Sequence, residues 1–210
     1  MEEIVVVGGG GHAKVVLSIL RKLNRFNVLG YTDLKDNGTL LKAHFIGSDT
    51  ELPSFAATRA GLNAVIGVGQ VGLGTLRHDL LARLRRIGLR FPEIVSPAST
   101  VNEEVEIGEG VVVMDGAIVN VGSKIGRGAI VNTNTTIEHD VTLEEWVHVA
   151  PGATISGGAS IGSFSMIGAG ATVIEGIHIA ANTIVGAGAT VIHDLSEPGV
   201  YIGCPARRIR

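Results

Sequence analysis

The residues best suited to acid–base chemistry lie at the end of the segment 132–140, where His139 is followed by Asp140. Imidazole titrates near neutral pH, so His139 can accept a proton from an attacking nucleophile. A carboxylate next in sequence can accept a hydrogen bond from the ring, which fixes the tautomer and raises the basicity. We therefore predict that His139 is a general base and Asp140 its partner, with Glu138 as the alternative partner.

A second segment with chemical potential is the glycine run 8–11, which precedes His12. Bare glycines let phosphates approach the start of a helix, where free N–H groups and the helix dipole favour anions. The glycine spacing, completed by Ala13, satisfies the dinucleotide fingerprint, and Asp33 stands about where its acidic residue belongs. A nicotinamide oxidoreductase is therefore one interpretation, which NAD(H) binding would support.

The elements around the glycine run alternate between strand and helix. Apolar runs predict strands at 4–7, 28–32 and 64–68, and helical periodicity predicts helices at 13–23 and about 73–87. This alternation is typical of a small parallel sheet, a Rossmann-like α/β domain. Two prolines between residues 90 and 97 mark a joint, so we predict two domains, 1–91 and 92–210. A region of fewer than ninety residues is cramped for a six-stranded dinucleotide fold, which counts against the nicotinamide oxidoreductase.

The second half of the chain repeats every six residues. Seventeen consecutive hexads, from Val95 to Val191, begin with a branched aliphatic residue, and their fifth positions are mostly Ala, Ser or Thr. A six-residue unit suits one short strand and a sharp corner, because β-branched residues favour strands and glycines tolerate positive φ. Three hexads close one triangular coil, so the repeat predicts a parallel β-helix with His139 at a corner. A β-sandwich would have strands of variable length and a shifting frame.

Composition narrows the possible partners. The 210 residues carry a formal net charge of -3, which gives no reason to expect nucleic acid or an anionic membrane as a partner. The first apolar run is too short for a signal peptide or a membrane span. The one cysteine, Cys204, excludes an intramolecular disulfide, so we expect a cytoplasmic protein. Covalent acyl-enzyme chemistry is not expected either, since no histidine is adjacent to Cys204 in sequence.

The hexads, together with the closing segment 199–207, resemble the hexapeptide-repeat acyltransferases. That resemblance implies a left-handed β-helix and a homotrimer that holds acetyl-CoA between neighbouring β-helices. The whole chain resembles the nucleotide-sugar N-acetyltransferases of the bacillosamine and perosamine type, together with the related sialic-acid O-acetyltransferases. This implies direct transfer of acetyl from acetyl-CoA to the amino group of a nucleotide-linked amino sugar in glycan biosynthesis, without a metal. Sugar O-acetylation is the alternative.

The same resemblance implies site residues. The family's pattern implies that the sugar nucleotide contacts Gly10, Gly11, His12, Thr32, Asp33, Leu34 and Gly67. Thr32 departs from the family, which often has two aspartates after the second strand. For acetyl-CoA, the resemblance implies contacts with His148 near the thioester and with Ala169 and Ala187 along the pantetheine arm. The oxyanion of the tetrahedral intermediate needs a donor, for which we expect a backbone N–H near Gly157.

Two further interpretations belong to other classes. Trimeric β-helix enzymes like the γ-type carbonic anhydrases bind zinc through three histidines, two of them five residues apart. Here His139 and His148 are nine residues apart, and the pattern His-x4-His does not occur. A non-catalytic sugar-nucleotide scaffold would bind its ligand without turnover of acetyl-CoA.

Overall fold

The computed structural model describes residues 1–59 and 61–210. The first part of the chain forms a three-stranded parallel sheet in the order β2-β1-β3. Three helices accompany it, one of which, α2, was not predicted from the sequence. The strands are β1 (Glu2–Val7), β2 (Phe26–Thr32) and β3 (Asn63–Ile66), and the helices are α1 (Gly11–Leu23), α2 (Leu52–Ala57) and α3 (Leu76–Arg86).

The central strand β1 is covered on both faces, which explains its unbroken apolar run. Ile4 and Val6 pack in one cluster with residues of α1, whereas Val5 and Val7 pack in another with residues of α3. This alternation follows from the two-residue period of a strand. The Rossmann-like α/β region predicted from the sequence is therefore confirmed.

The remainder of the chain winds into a β-solenoid of about six turns with three parallel faces. Face 1 contains β4 (Ile94–Val95), β7 (Val112–Val113), β10 (Ile130–Val131), β13 (His148–Val149), β16 (Met166–Ile167), β19 (Thr183–Val185), β21 (Gly199–Ile202) and the antiparallel β22 (Arg207–Arg208). Face 2 contains β5 (Thr100–Val101), β8 (Ile118–Val119), β11 (Thr136–Ile137), β14 (Thr154–Ile155), β17 (Thr172–Val173) and β20 (Thr190–Val191). Face 3 contains β6 (Glu106–Ile107), β9 (Lys124–Ile125), β12 (Thr142–Leu143), β15 (Ser160–Ile161) and β18 (His178–Ile179).

The interior of the solenoid is built from the two inward positions of the hexad. Aliphatic first positions such as Ile137 and Ile155 are fully buried, and so are small fifth positions such as Ala153. At the corners, residues with positive φ include Gly158 and Asp140, which adopts a φ of 57°. The predicted left-handed parallel β-helix is confirmed. Its first coil is the least covered, since Val95, Val101 and Ile107 are only partly buried.

The α/β region packs against face 1 of the β-helix. Residues of α1 share a cluster with Ile94, Val112 and Ile130, whose side chains point outward from that face. At the surface, Arg85 of α3 forms an ion pair with Glu109, with 3.2 Å between Nη1 and Oε2. Because the two parts share packed surfaces, the division at residues 91 and 92 into separate domains stays a prediction. Within the described residues, no helix has the length and apolar character to cross a bilayer.

Candidate active site

A cavity of about 630 Å³ opens between the glycine run and face 1 of the β-helix. Five of the seven residues predicted to bind the sugar nucleotide line it, together with His148 and parts of the loop after β3. The lining residues are Gly8, Gly9, Gly10, Gly11, His12, Val15, Asp33, Gly67, Val68, Gly69, Gln70, Val71, Met114, Asn132 and His148.

Packing requires glycine at Gly9 and Gly67, whereas a Cβ on Gly10 or Gly11 would meet no atom within 4 Å. A Cβ on Gly9 would lie 2.6 Å from the Tyr31 ring, and one on Gly67 would lie 2.9 Å from the Cβ of Ala13. The N–H of Gly9 donates to Oδ2 of Asp33 over 2.9 Å, which ties the glycine run to the end of β2. Because α1 begins at Gly11, the free N–H groups of its first turn lie beside the cavity and favour an anion there.

Two predicted nucleotide residues lie outside the cavity lining. Thr32 is 1% exposed, and its hydroxyl donates to Oδ1 of Asp49 over 2.6 Å. Leu34 is 97% exposed and contributes only a backbone N–H, which donates to Oδ1 of Asp33. The departure of Thr32 from the family's aspartate pair is thus accommodated by an internal hydrogen bond.

Two histidines in the cavity are held neutral by their surroundings. Burial lowers the pKa of His12 to about 4, with a further contribution from the Arg77 charge, and the Nε2 atom of His12 has no hydrogen-bond partner within the described residues. Burial, followed by the Arg77 charge, likewise lowers the pKa of His148 to about 4. Both imidazoles therefore remain uncharged at neutral pH and can serve as hydrogen-bonding groups.

His139 and Asp140 form the predicted pair on the surface. Nδ1 of His139 lies 2.9 Å from Oδ2 of Asp140, and the two side chains are 54% and 73% exposed. This hydrogen bond is the main cause that raises the pKa of His139, and the carboxylate charges nearby add to it. Since Nδ1 donates to the carboxylate, Nε2 carries the lone pair and is the atom able to accept a proton.

Gly157 lies directly beside the ring of His139. A Cβ at this position would stand 2.5 Å from Nε2 of His139, so any larger residue would displace the ring from its present position. The N–H of Gly157 donates no hydrogen bond to any group in the described chain, whereas its carbonyl accepts one from Gly176. The predicted oxyanion donor is therefore adjacent to the predicted base.

The predicted residues do not meet at a single place in one protomer. His139 and Gly157 lie at the corner between faces 2 and 3, whereas the cavity with His148 lies on face 1. Ala169 and Ala187 are exposed at the corner between faces 1 and 2, one coil apart. In a three-sided coil the corner between faces 2 and 3 is opposite face 1. The predicted base and the cavity are therefore on opposite sides of the β-helix.

Sequence reasoning missed several polar residues at the cavity. Gln70, in the loop after β3, accepts a hydrogen bond from His148 through its backbone carbonyl. Asn132 contacts His148, and Arg77 of α3 contacts the side chain of Gln70 next to the cavity. The position of Gln70 after a parallel strand was an available signal, because ligands bind at the carboxyl ends of such strands. In the described part of the chain, no three His, Cys, Asp or Glu side chains are grouped to hold a metal ion.

Comparisons with known proteins agree with this architecture. The PglD N-terminal domain model matches residues 3–73, and the bacterial transferase hexapeptide model (six repeats) matches residues 122–157. A comparison with curated protein sequences finds no match.

Solved structures resemble the chain over its whole length. GDP-perosamine N-acetyltransferase from Caulobacter crescentus, crystallised as a histidine-to-alanine variant with CoA and GDP-perosamine, is 34% identical with a TM-score of 0.93, covering 100% of this chain and 98% of that one. The acetyltransferase domain of PglB from Neisseria gonorrhoeae, in complex with acetyl coenzyme A, is 31% identical with a TM-score of 0.91 and 99% coverage of both chains. WeeI from Acinetobacter baumannii, at 24% identity, a TM-score of 0.85 and full coverage of both chains, shares the fold.

The chain therefore belongs to the nucleotide-sugar N-acetyltransferases, a family of hexapeptide-repeat acyltransferases. As a member of this family it is an acetyl-CoA-dependent acetyltransferase enzyme.

Proposed function

We propose that this enzyme transfers the acetyl group of acetyl-CoA to the amino group of a sugar linked to a nucleoside diphosphate. The observation that carries the proposal is the cavity in which a glycine run and the first turn of α1 face the β-helix. A diphosphate suits that helix start because its N–H groups and dipole favour anions. The ligands bound to the perosamine and PglB relatives, GDP-perosamine with CoA and acetyl-CoA, support the same pair of substrates.

The proposed reaction is a direct transfer. The sugar amine attacks the thioester carbonyl while Nε2 of His139 accepts the amine proton, and a carbon–nitrogen bond forms. The carbonyl oxygen then carries a negative charge, which the N–H of Gly157 can stabilise. The carbon–sulfur bond breaks, the electron pair leaves with sulfur, and the proton on His139 passes to the thiolate to give free CoA. Asp140 stabilises the imidazolium that exists between these steps.

We further propose that the enzyme is a homotrimer with its active sites between subunits. The position of His139 supports this, because it lies opposite the face that carries the cavity of its own protomer. His139 of the partner subunit would supply the base at that cavity, and acetyl-CoA would lie between the two β-helices beside Ala169 and Ala187. We also propose a cytoplasmic location, since the single Cys204 forms no intramolecular disulfide.

The test is a panel of amino-sugar nucleotides with UDP, GDP and dTDP, each incubated with acetyl-CoA. Thiol release reports turnover, and NMR of the product distinguishes an amide from an ester. We expect an amide with at least one member of the panel, and no turnover with the same sugar nucleotide carrying a hydroxyl in place of the amine. Turnover of the hydroxy sugar alone would indicate an O-acetyltransferase, and binding without any thiol release would indicate a scaffold.

A further inference from the structure

A buried arginine joins the loop after β3 to the β-helix. Arg77 of α3 is 4% exposed, and its Nη2 donates to the carbonyl of Gly128 over 2.6 Å. Its Nη1 lies 3.4 Å from Oε1 of Gln70, and its Cζ lies 5.6 Å from the centroid of the Trp146 ring. Both acceptors are neutral, although a buried charge is normally paired with an opposite one. Such an unfavourable arrangement calls for a role beyond packing.

The loop that Arg77 contacts also holds His148. The backbone carbonyl of Gln70 lies 3.0 Å from Nδ1 of His148, and because a carbonyl only accepts, Nδ1 carries the proton. The other ring nitrogen, Nε2, lies 3.1 Å from Nδ2 of Asn132, which can donate to it. The ring is therefore fixed from both sides in one orientation and one tautomer.

The side chain of Gln70 also forms a hydrogen bond within the loop that carries its backbone carbonyl. Its Nε2 donates to the carbonyl of Gly72 over 3.1 Å, and the N–H of Gly72 is directed at the sulfur of Met166 on face 1. The loop is thus attached to the β-helix through Arg77 on one side and Gly72 on the other. Loss of the arginine fork would free the Gln70 carbonyl to move relative to His148.

Charge supports the same arrangement. The groups facing His148 are the permanent positive charge of Arg77, the neutral His12 ring, and the amides of Gln70 and Asn132. Burial is the larger cause of the low pKa of both imidazoles, and the guanidinium adds to it by opposing a second positive charge. A neutral His148 with a protonated Nδ1 follows from the geometry and the charge together.

We propose that Arg77 is a positioning residue for acyl transfer, which anchors the Gln70 carbonyl and so holds the His148 ring in one orientation and tautomer at the cavity. This inference rests on the proposed function, because it assigns His148 to the acetyl-CoA site. Arg77 itself lies behind the cavity and acts only through the loop and the ring.

The test compares Arg77→Met and Arg77→Lys with Arg85→Met in the full-length protein. Arg85 is the matched control, because it also joins α3 to the β-helix but does so through an exposed ion pair with Glu109. Nitrogen-15 NMR of the histidine rings, without substrates, reports the tautomer and titration of His148. We expect one tautomer, protonated at Nδ1, in the wild type and in Arg85→Met between about pH 5 and 8.

In both Arg77 variants we expect a mixture of tautomers and a kcat lowered by about a hundredfold, since small misplacements near the reacting atoms carry losses of that order. Lysine retains the charge but has no planar guanidinium to donate to both the Gly128 carbonyl and Oε1 of Gln70. If the methionine variant does not fold, Arg77→Lys therefore still tests the proposal. A lower melting temperature with the wild-type tautomer and kcat would overturn the proposal. If no amino-sugar nucleotide is turned over by the wild type, the proposed function fails, and the ring measurement still reports on Arg77 separately.

Discussion

For single residues, the hydrogen bond between His139 and Asp140 predicts how kcat/KM depends on pH. The side-chain oxygen of asparagine at position 140 is uncharged, so a hydrogen bond from Nδ1 to it stabilises the imidazolium less. The pKa of His139 then falls towards its ordinary value. The base must be neutral to work, and the acid limb of the kcat/KM profile therefore moves to lower pH in Asp140→Asn. We expect kcat to fall on the order of a hundredfold, because the amide can also favour the wrong tautomer.

Glu138→Gln is the control for this measurement. Glu138 raises the pKa of His139 through its charge alone, and its carboxylate is held by Nδ2 of Asn120 over 2.9 Å. We expect a smaller movement of the acid limb and little loss of kcat. An acid limb that stays in place in Asp140→Asn would show that the pair does not set the basicity of the enzyme.

His139 and Asp140 were predictable because they are adjacent in sequence and their chemistry is local. The environment of His148 was not, because its neighbour Gln70 comes from the loop after β3, which is 78 residues away along the chain, while Asn132 lies in the preceding coil. His148 occupies the sixth position of its hexad, the same position as the outward-pointing Ile130. Only the packing of the α/β region on face 1 explains why this outward histidine is buried.

At the scale of elements, the corner that carries His139 has a steric requirement. Gly157→Ala places a Cβ against Nε2 of His139 and should displace the ring, which would lower kcat/KM by about a hundredfold. The φ of Gly157 lies outside the left-handed region, so alanine is tolerated by the backbone. Steady-state kinetics and the melting temperature together separate displacement of the ring from unfolding.

The neighbouring Gly158 supplies the matched control. Its φ is +66°, no atom lies within 4 Å of the place that a Cβ would occupy, and asparagine already occupies comparable corners at Asn134 and Asn182. Asparagine tolerates this conformation, so Gly158→Asn should keep its activity. Full activity in Gly157→Ala would mean that the ring works from another position.

The regularity of the hexads made the β-helix the most predictable element. A single hexad is weak evidence for a strand and a corner, but seventeen consecutive hexads place an aliphatic residue at the same inward position. The three strands of the α/β region were predicted from apolar runs. No end of these strands differs from its predicted position by more than two residues. Helix α2 was missed because Leu52–Ala57 is short and only Leu52 is buried, which gives too few positions for a periodic pattern.

At the scale of the whole molecule, the separation of His139 from the cavity predicts complementation between subunits. His139→Ala and His148→Ala should each be inactive as pure proteins. After mixing by denaturation and refolding together, some sites combine an intact His139 from one protomer with an intact His148 from its partner. At equal mixing, about a quarter of the interfaces should regain activity, because each site draws one residue from each protomer.

Separately refolded variants mixed without denaturation are the control, and they should stay inactive. Size-exclusion chromatography with light scattering checks that each variant keeps the mass of the wild-type assembly, for which we propose a trimer. If the refolded mixture gains no activity while wild-type enzyme recovers after the same treatment, both histidines act from a single protomer. The proposed arrangement between subunits would then be wrong.

Turnover by His139→Asn decides whether acetyl transfer to an amino sugar uses His139 as the base. Thiol release from acetyl-CoA is measured with the amino-sugar nucleotide that the wild type accepts, at saturating concentrations of both. We predict that kcat falls by roughly a hundredfold to ten-thousandfold while both KM values change little, as loss of a general base implies. Turnover close to that of the wild type would contradict the account.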